Sequence, residues 1–121
     1  MNLCDIDQIK ALLARHGFRF SKSMGQNFLI QPWVPRDIAC SSGAGSGKGV
    51  LEIGPGIGPL TRELSLLADQ VVSVELDRSL LPILTETLGD RDNVEIVSGD
   101  ILKLDIPSLV RERFQGLEPI A

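Results

Sequence analysis

The run Leu51-Glu52-Ile53-Gly54-Pro55-Gly56-Ile57-Gly58-Pro59-Leu60-Thr61 sets three alternating glycines directly after a short apolar segment. Glycine at the end of a buried strand lets the chain turn sharply, and its missing Cβ lets a ligand approach the backbone. Two carboxylates extend the pattern. Glu75 ends the apolar run Val71-Val72-Ser73-Val74, about twenty residues past the first glycine, where an acid can accept both hydroxyls of a ribose in a fork. Asp100 follows Val94-Glu95-Ile96-Val97-Ser98-Gly99, and a carboxylate there can accept from the exocyclic amino group of an adenine. A Gly-Asp pair also forms turns, so the weight lies in the combination. Glycines after one strand and acids after the next two make a row along the carboxyl edge of a parallel sheet, where open α/β sheets bind ligands. An adenosine-bearing ligand fits that row. Asp77 reads instead as a helix N-terminal residue.

The glycine spacing narrows the ligand. A dinucleotide site uses G-x-G-x-x-G, with the pyrophosphate on the helix N-terminus. In this chain the third glycine comes one place early, at Gly58, and Pro59 holds the dinucleotide position. G-x-G-x-G preceded by an acid, Glu52, is the spacing of S-adenosylmethionine methyltransferases. That cofactor carries no phosphate, so its loop wraps a neutral sugar and an amino-acid moiety. The acid at Glu75 is shared with NAD sites, which keeps a dinucleotide-binding oxidoreductase domain open as an alternative. A non-enzymatic module binding RNA or a ribosome-assembly partner is a third possibility. Ser42 to Gly49 looks like a P-loop, but Ser42 stands where the first glycine belongs and Gly49 where Ser or Thr must bind magnesium. It also precedes the strand, and reads as a connector.

These residues need elements to hold them. Asp5 with Gln8 resembles a capping box, and Ile9, Leu12 and Leu13 form an apolar stripe, which predicts a helix over 5–16 stopped by Gly17. Phe18 to Ile30 has no clean period. A second short helix is expected over 33–41, with Ile38 and Ala39 inward and Pro35 in its first turn. Val50–Ile53, Val71–Val74 and Val94–Val97 read as buried strands. Between them, Leu60, Leu64, Leu67 and Ala68, and then Leu80, Leu81, Leu84 and Leu88, recur at helical spacing. Pro82 fits only in a first turn. A further helix is expected within 107–115, and Pro119-Ile120-Ala121 as the entry to a fourth strand. Alternating strands and helices predict βαβ crossovers and a parallel sheet with flanking helices.

Composition sets outer bounds. The 121 residues carry a net charge of −4 and are 43% hydrophobic, enough for a modest core but without the basic stripe of a stand-alone nucleic-acid binder. One His and two Cys exclude a zinc site built from those residues, and no other metal site is expected. Cys4 and Cys40 make no disulfide framework, no run reaches the length of a membrane span, and the N-terminus has no secretory signal. A cytoplasmic protein is expected.

Lys22-Ser23-Met24-Gly25-Gln26-Asn27-Phe28-Leu29 resembles the K-x-x-G-Q-N-F-L element of the ribosomal RNA adenine dimethyltransferases. Leu51–Thr61 is similar to that family's E-I-G-P-G-x-G-x-L-T loop, and Val74-Glu75-Leu76-Asp77 to its V-E-x-D segment. The resemblance is to the type that dimethylates two adjacent adenines near the 3′ end of small-subunit rRNA; the erythromycin-resistance type, acting on the large subunit, comes second. It implies a Rossmann-like fold with S-adenosylmethionine as cofactor and small-subunit rRNA or its precursor particle as partner. Asn27 and Leu29 would line the methionine end, with Gly54, Gly56 and Gly58 under it, Glu75 on the ribose and Asp100 on the adenine. Residues 1–49 would form N-terminal helices and a cofactor-covering segment, and 50–121 the first half of the methyltransferase sheet. The family's Asn-Leu-Pro-Tyr-type catalytic motif has no counterpart in the sequence, so no catalytic residue is assigned. The expectation is a fragment inactive by itself, with one side of Val50–Ile53 uncovered and prone to self-association.

Overall fold

Continuous β-branched runs bounded by glycine form strands buried on both faces, and the structure, a computed structural model, describes residues 2–18 and 33–121. β1 (Lys48–Ile53), β2 (Gln70–Glu75), β3 (Val94–Ser98) and β4 (Glu118–Ile120) form one parallel sheet in the order β3-β2-β1-β4. The register pairs Ile53 with Val74 and Glu75 with Ser98. The ladder then runs one step past each strand: the Gly54 N–H donates to Val74 O at 2.9 Å, and the Gly99 N–H to Glu75 O at 3.0 Å. The three strand ends are thereby level. β1 lies between β2 and β4, but β4 pairs only with Lys48–Val50. Among the described residues, Leu51–Ile53 has strand β2 on one side and no strand on the other.

Alternate residues of the strands face two layers. On one face Val50 and Val71 pack with Ala39, Leu64 and Ala68. Next to them, Ile57, Ile83, Leu84 and Leu88 close over Ile9, Leu12 and Leu13. The helical residues come from α1 (Ile6–Arg15), α2 (Trp33–Ser41), α3 (Pro59–Leu67) and α4 (Leu81–Leu88), while Ile57 lies in the glycine loop and Ala68 just past α3. On the other face Leu51, Val72 and Val74 pack against Phe114, with Leu109 and Val110 of α5 (Ile106–Arg113) beside them.

Local signals explain most boundaries. Asp5 caps α1 by accepting from the Asp7 and Gln8 amides. The capping box is only half formed, because Gln8 Oε1 turns outward to accept from the Asn2 N–H at 2.7 Å. Pro82 sits in the first turn of α4, behind a 3₁₀ turn over Arg78–Leu80 that Asp77 caps. Arg62 of α3 grips the end of α4, donating to Thr87 O and in bidentate fashion to Asp90, whose carboxyl it pulls down to about 2.

One expectation of an inward face needs correction. In α2, Ala39 is buried but Ile38 is 49% exposed, and Pro35 takes the second inner position. The helix is rotated so that Ile38 borders a trough beside the open part of β1. In α3, Leu64 and Ala68 are buried while Leu67 is 38% exposed, because the i, i+4 row carries the contact and Leu67 falls off its edge.

Gly49, the residue that disqualified Ser42–Gly49 as a P-loop, has a structural reason to be glycine. A Cβ there would lie 2.4 Å from Phe114 Cδ1, so the ring packs directly on the β1 backbone. Gly49→Ala should therefore destabilise the fold by about 1–3 kcal/mol, the range for overpacking, with a lowered urea midpoint at unchanged m-value. Adding Phe114→Leu should recover part of the loss in a double-mutant cycle.

Candidate functional site

Three side chains meet beneath the glycine loop. Glu52, near the end of β1, is buried, and its Oε1 accepts from the hydroxyls of Thr61 in α3 and Ser73 in β2, the latter at 2.7 Å. Both partners are fully enclosed, at 0% exposure. Glu52 precedes the loop and Thr61 follows it, so one carboxyl ties both ends of the turn together and fastens them to the neighbouring strand. Burial pushes the Glu52 carboxyl above its usual range; the two hydroxyls oppose this, and the nearby Glu75 charge adds to it.

Gly54, Gly56 and Gly58 all have positive φ, at 72°, 63° and 99°. The loop thus takes a path that side-chain-bearing residues rarely follow. Gly58 has a further constraint. A Cβ there would lie 3.2 Å from both Leu88 and Thr87, so its bareness lets α3 start against α4.

Glu75 is a buried strand-end acid, not an exposed one, at 6% exposure. Its Oε1 accepts from the Gly56 N–H at 3.4 Å and its Oε2 from the Asp77 N–H at 2.9 Å. Each carboxylate oxygen has two acceptor sites, so one remains on each for a pair of ligand hydroxyls. Asp100 is half-buried; its Oδ1 accepts from the Leu102 N–H at 2.9 Å. It holds its own turn, and among the described residues Oδ2 has no partner. Asp77 caps the 3₁₀ turn as predicted. Asn27 and Leu29 lie outside the described residues, as do Lys22 and Phe28.

A cavity of about 270 Å³ opens beside the loop, walled by Val34, Pro35 and Ile38 of α2 and by the backbone turn from Ile53 to Leu60. Sequence reading missed that wall and the two hydroxyl partners of Glu52. The wall had a sequence signal, because Val34, Pro35 and Ile38 share one helical face, whereas Thr61, followed by Arg62 and Glu63, had none. Leu76 and Ile53, at 67% and 57% exposure, add apolar surface at the same strand ends. Among the described residues no cluster of metal-ligating side chains occurs, and no helix is long and apolar enough to cross a membrane.

Comparison with known proteins agrees with this geometry. Residues 17–121 match the family described as ribosomal RNA adenine dimethylase. The chain is 47% identical over 107 residues to the ribosomal RNA small subunit methyltransferase A of Clostridioides difficile (strain 630), a match covering 88% of this chain and 37% of that protein. The chain therefore spans little more than a third of the length of the curated relatives it matches. Among solved structures, the 23S rRNA methyltransferase ErmE superposes with a TM-score of 0.61 at 31% identity, covering 77% of this chain and 45% of that one. A dimethyladenosine transferase from Plasmodium falciparum gives 0.56 at 29%, covering 61% and 28%.

The buried Glu52 carboxyl yields a pH prediction. With its folded-state value raised, its contribution to stability is fully present below the ordinary 4.5 and is lost as pH rises through the raised value. Glu52→Gln keeps an acceptor for Thr61 and Ser73 but cannot ionise. Thermal melts of both proteins across pH 4 to pH 8 should show Glu52→Gln gaining on the wild type as pH rises. A pH-independent difference would contradict this account.

Proposed function

Because the chain belongs to the ribosomal RNA adenine dimethylase family, we propose that it is the S-adenosylmethionine-binding part of an enzyme that dimethylates N6 of two adjacent adenines near the 3′ end of small-subunit rRNA. The observation that carries this reading is the level row of strand ends. The glycine loop after β1, the buried Glu75 after β2 and Asp100 after β3 lie side by side in the sheet. In the proposed arrangement the cavity beside Gly54, Gly56 and Gly58 takes the methionine end, with Asn27 and Leu29 lining it. Its volume of about 270 Å³ is below the usual 300–1,000 Å³ of sites for whole drug-sized ligands, which suits an amino-acid moiety better than a nucleoside. Glu75 uses its two remaining acceptor sites on the ribose hydroxyls. Asp100 Oδ2 accepts from the adenine amino group, and Leu76 offers an apolar face to the ring.

Bound there, S-adenosylmethionine supplies an electrophilic sulfonium methyl. The residues of this chain bind and orient it, and the acids favour its positive charge. The adenine N6 is a poor nucleophile because its lone pair is delocalised into the ring, so it must be held in line, stacked and hydrogen-bonded by further groups. The sequence contains no Asn-x-Pro-aromatic motif for that work, and we assign no catalytic residue within it. The higher identity to a small-subunit than to a large-subunit enzyme favours the small-subunit target. A cytoplasmic location follows from that substrate. The unpaired side of Leu51–Ile53 favours self-association of this chain on its own.

Calorimetric titration should show S-adenosylhomocysteine binding and no measurable NAD binding. Glu75→Ala should weaken the former roughly tenfold to a hundredfold, the equivalent of losing hydrogen bonds to a charged acceptor. Equal binding of NAD would favour a dinucleotide domain, and RNA binding indifferent to Glu75→Ala and Asp100→Ala a non-enzymatic module. These 121 residues alone should give no methyl transfer to unmethylated small-subunit RNA, and should sediment as more than a monomer.

A further inference from the structure

A loop that binds phosphate does so with successive backbone N–H groups converging at a helix N-terminus. Between Gly54 and Pro59 those donors are removed one by one. The Gly54 N–H is committed to Val74 O at 2.9 Å and the Gly58 N–H to Pro55 O at 3.0 Å. The Gly56 N–H points to Glu75 Oε1. Pro55 and Pro59 have no N–H at all. Among the described residues of this turn, only the Ile57 amide is left without one of these commitments. Both proline rings line the cavity, so apolar surface stands where a phosphate loop would present donors. The charge has the same sense: Glu52 is in the cavity wall, Glu75 beside it, and no described lining residue is Lys or Arg.

We propose that Pro55 and Pro59 are specificity-determining residues that reject phosphate on the 5′ side of an adenosine ligand, so that dinucleotides and nucleoside polyphosphates are excluded while adenosine with an uncharged or cationic 5′ substituent is admitted. The proposal rests on the reading above for the direction in which adenosine lies. Neither proline breaks the local fold. Pro59 occupies the first turn of α3, where a missing N–H is tolerated, and Pro55 supplies the carbonyl that closes the turn onto Gly58. Their effect is on what may approach.

The test is calorimetric titration of the protein with adenosine, ADP, inorganic pyrophosphate and S-adenosylhomocysteine, in the wild type, Pro59→Ala, and Pro55→Ala/Pro59→Ala. In the wild type, ADP should bind at least about tenfold more weakly than adenosine, and pyrophosphate not measurably. Restoring the amides should raise ADP affinity about tenfold, as expected for one recovered charge-assisted hydrogen bond, and leave adenosine within about threefold. Wild-type protein that prefers ADP to adenosine overturns the proposal. So does a double variant that keeps adenosine affinity and gains none for ADP or pyrophosphate. If the double variant loses its far-UV dichroism, the single Pro59→Ala change and the wild-type comparison decide. Failure of S-adenosylhomocysteine to bind the wild type would count against the cofactor reading, while the pyrophosphate arm still reports on the loop.

Discussion

A buried carboxyl sharing one oxygen between two hydroxyls holds the glycine-loop edge of the sheet together. Glu52 Oε1 receives Thr61 from α3 and Ser73 from β2, so the strand before the loop, the helix after it and the adjacent strand converge on one atom. Burying an acid is unfavourable unless its acceptors are satisfied, and here the satisfying groups come from the elements whose relative position the site requires. Ser73 lies two residues before Glu75 on β2, and the loop it helps to fix donates the Gly56 amide to Glu75. Disturbing the knot would therefore move both the loop and the acid that faces it.

The glycines serve the same geometry in different ways. Gly54 has positive φ and open space where a Cβ would project, so its backbone path is what demands glycine. Gly58 has the same sign of φ and also the side chains of Leu88 and Thr87 within 3.2 Å of a hypothetical Cβ. The third glycine of the motif is thus partly a helix-packing residue. A pattern that reads as one ligand signature in sequence divides, in the structure, into a conformational requirement and a packing requirement.

What the sequence disclosed follows from how local each signal is. Strand runs, the stop at Gly17, Pro82 in a first turn and Asp77 as a cap depend on a few neighbouring residues, and they agree with the fold. The strand order also follows, because parallel crossovers leave few arrangements. Ile38 was misplaced because helical spacing specifies a stripe but not which flank of it meets the sheet. The Glu52 knot was invisible because its members lie on three elements and meet only once the register of β1 against β2 is set. Gly49 looked like an unremarkable loop residue because its reason, the Phe114 ring, is far along the chain. The burial of Glu75, by contrast, could be anticipated from the valines before it, which bury on both faces of the sheet.

Charge then acquires a local meaning. A net charge of −4 sits poorly with a polyanionic substrate if the chain is taken as the whole recognition surface. The site explains part of it: Glu52, Glu75 and Asp100 cluster at the strand ends that the glycine loop opens onto. Unlike charges attract and like charges repel, so on the proposed reading acids beside this pocket favour a sulfonium and oppose a phosphodiester. On the proposed reading, the same acids that hold the cofactor keep the RNA backbone away from it. On that same reading, an adenine reaching the methyl arrives as a base turned out of its strand, with its phosphates held at a distance by other surfaces. The proposed acidic cofactor site and the proposed RNA substrate are compatible for this reason.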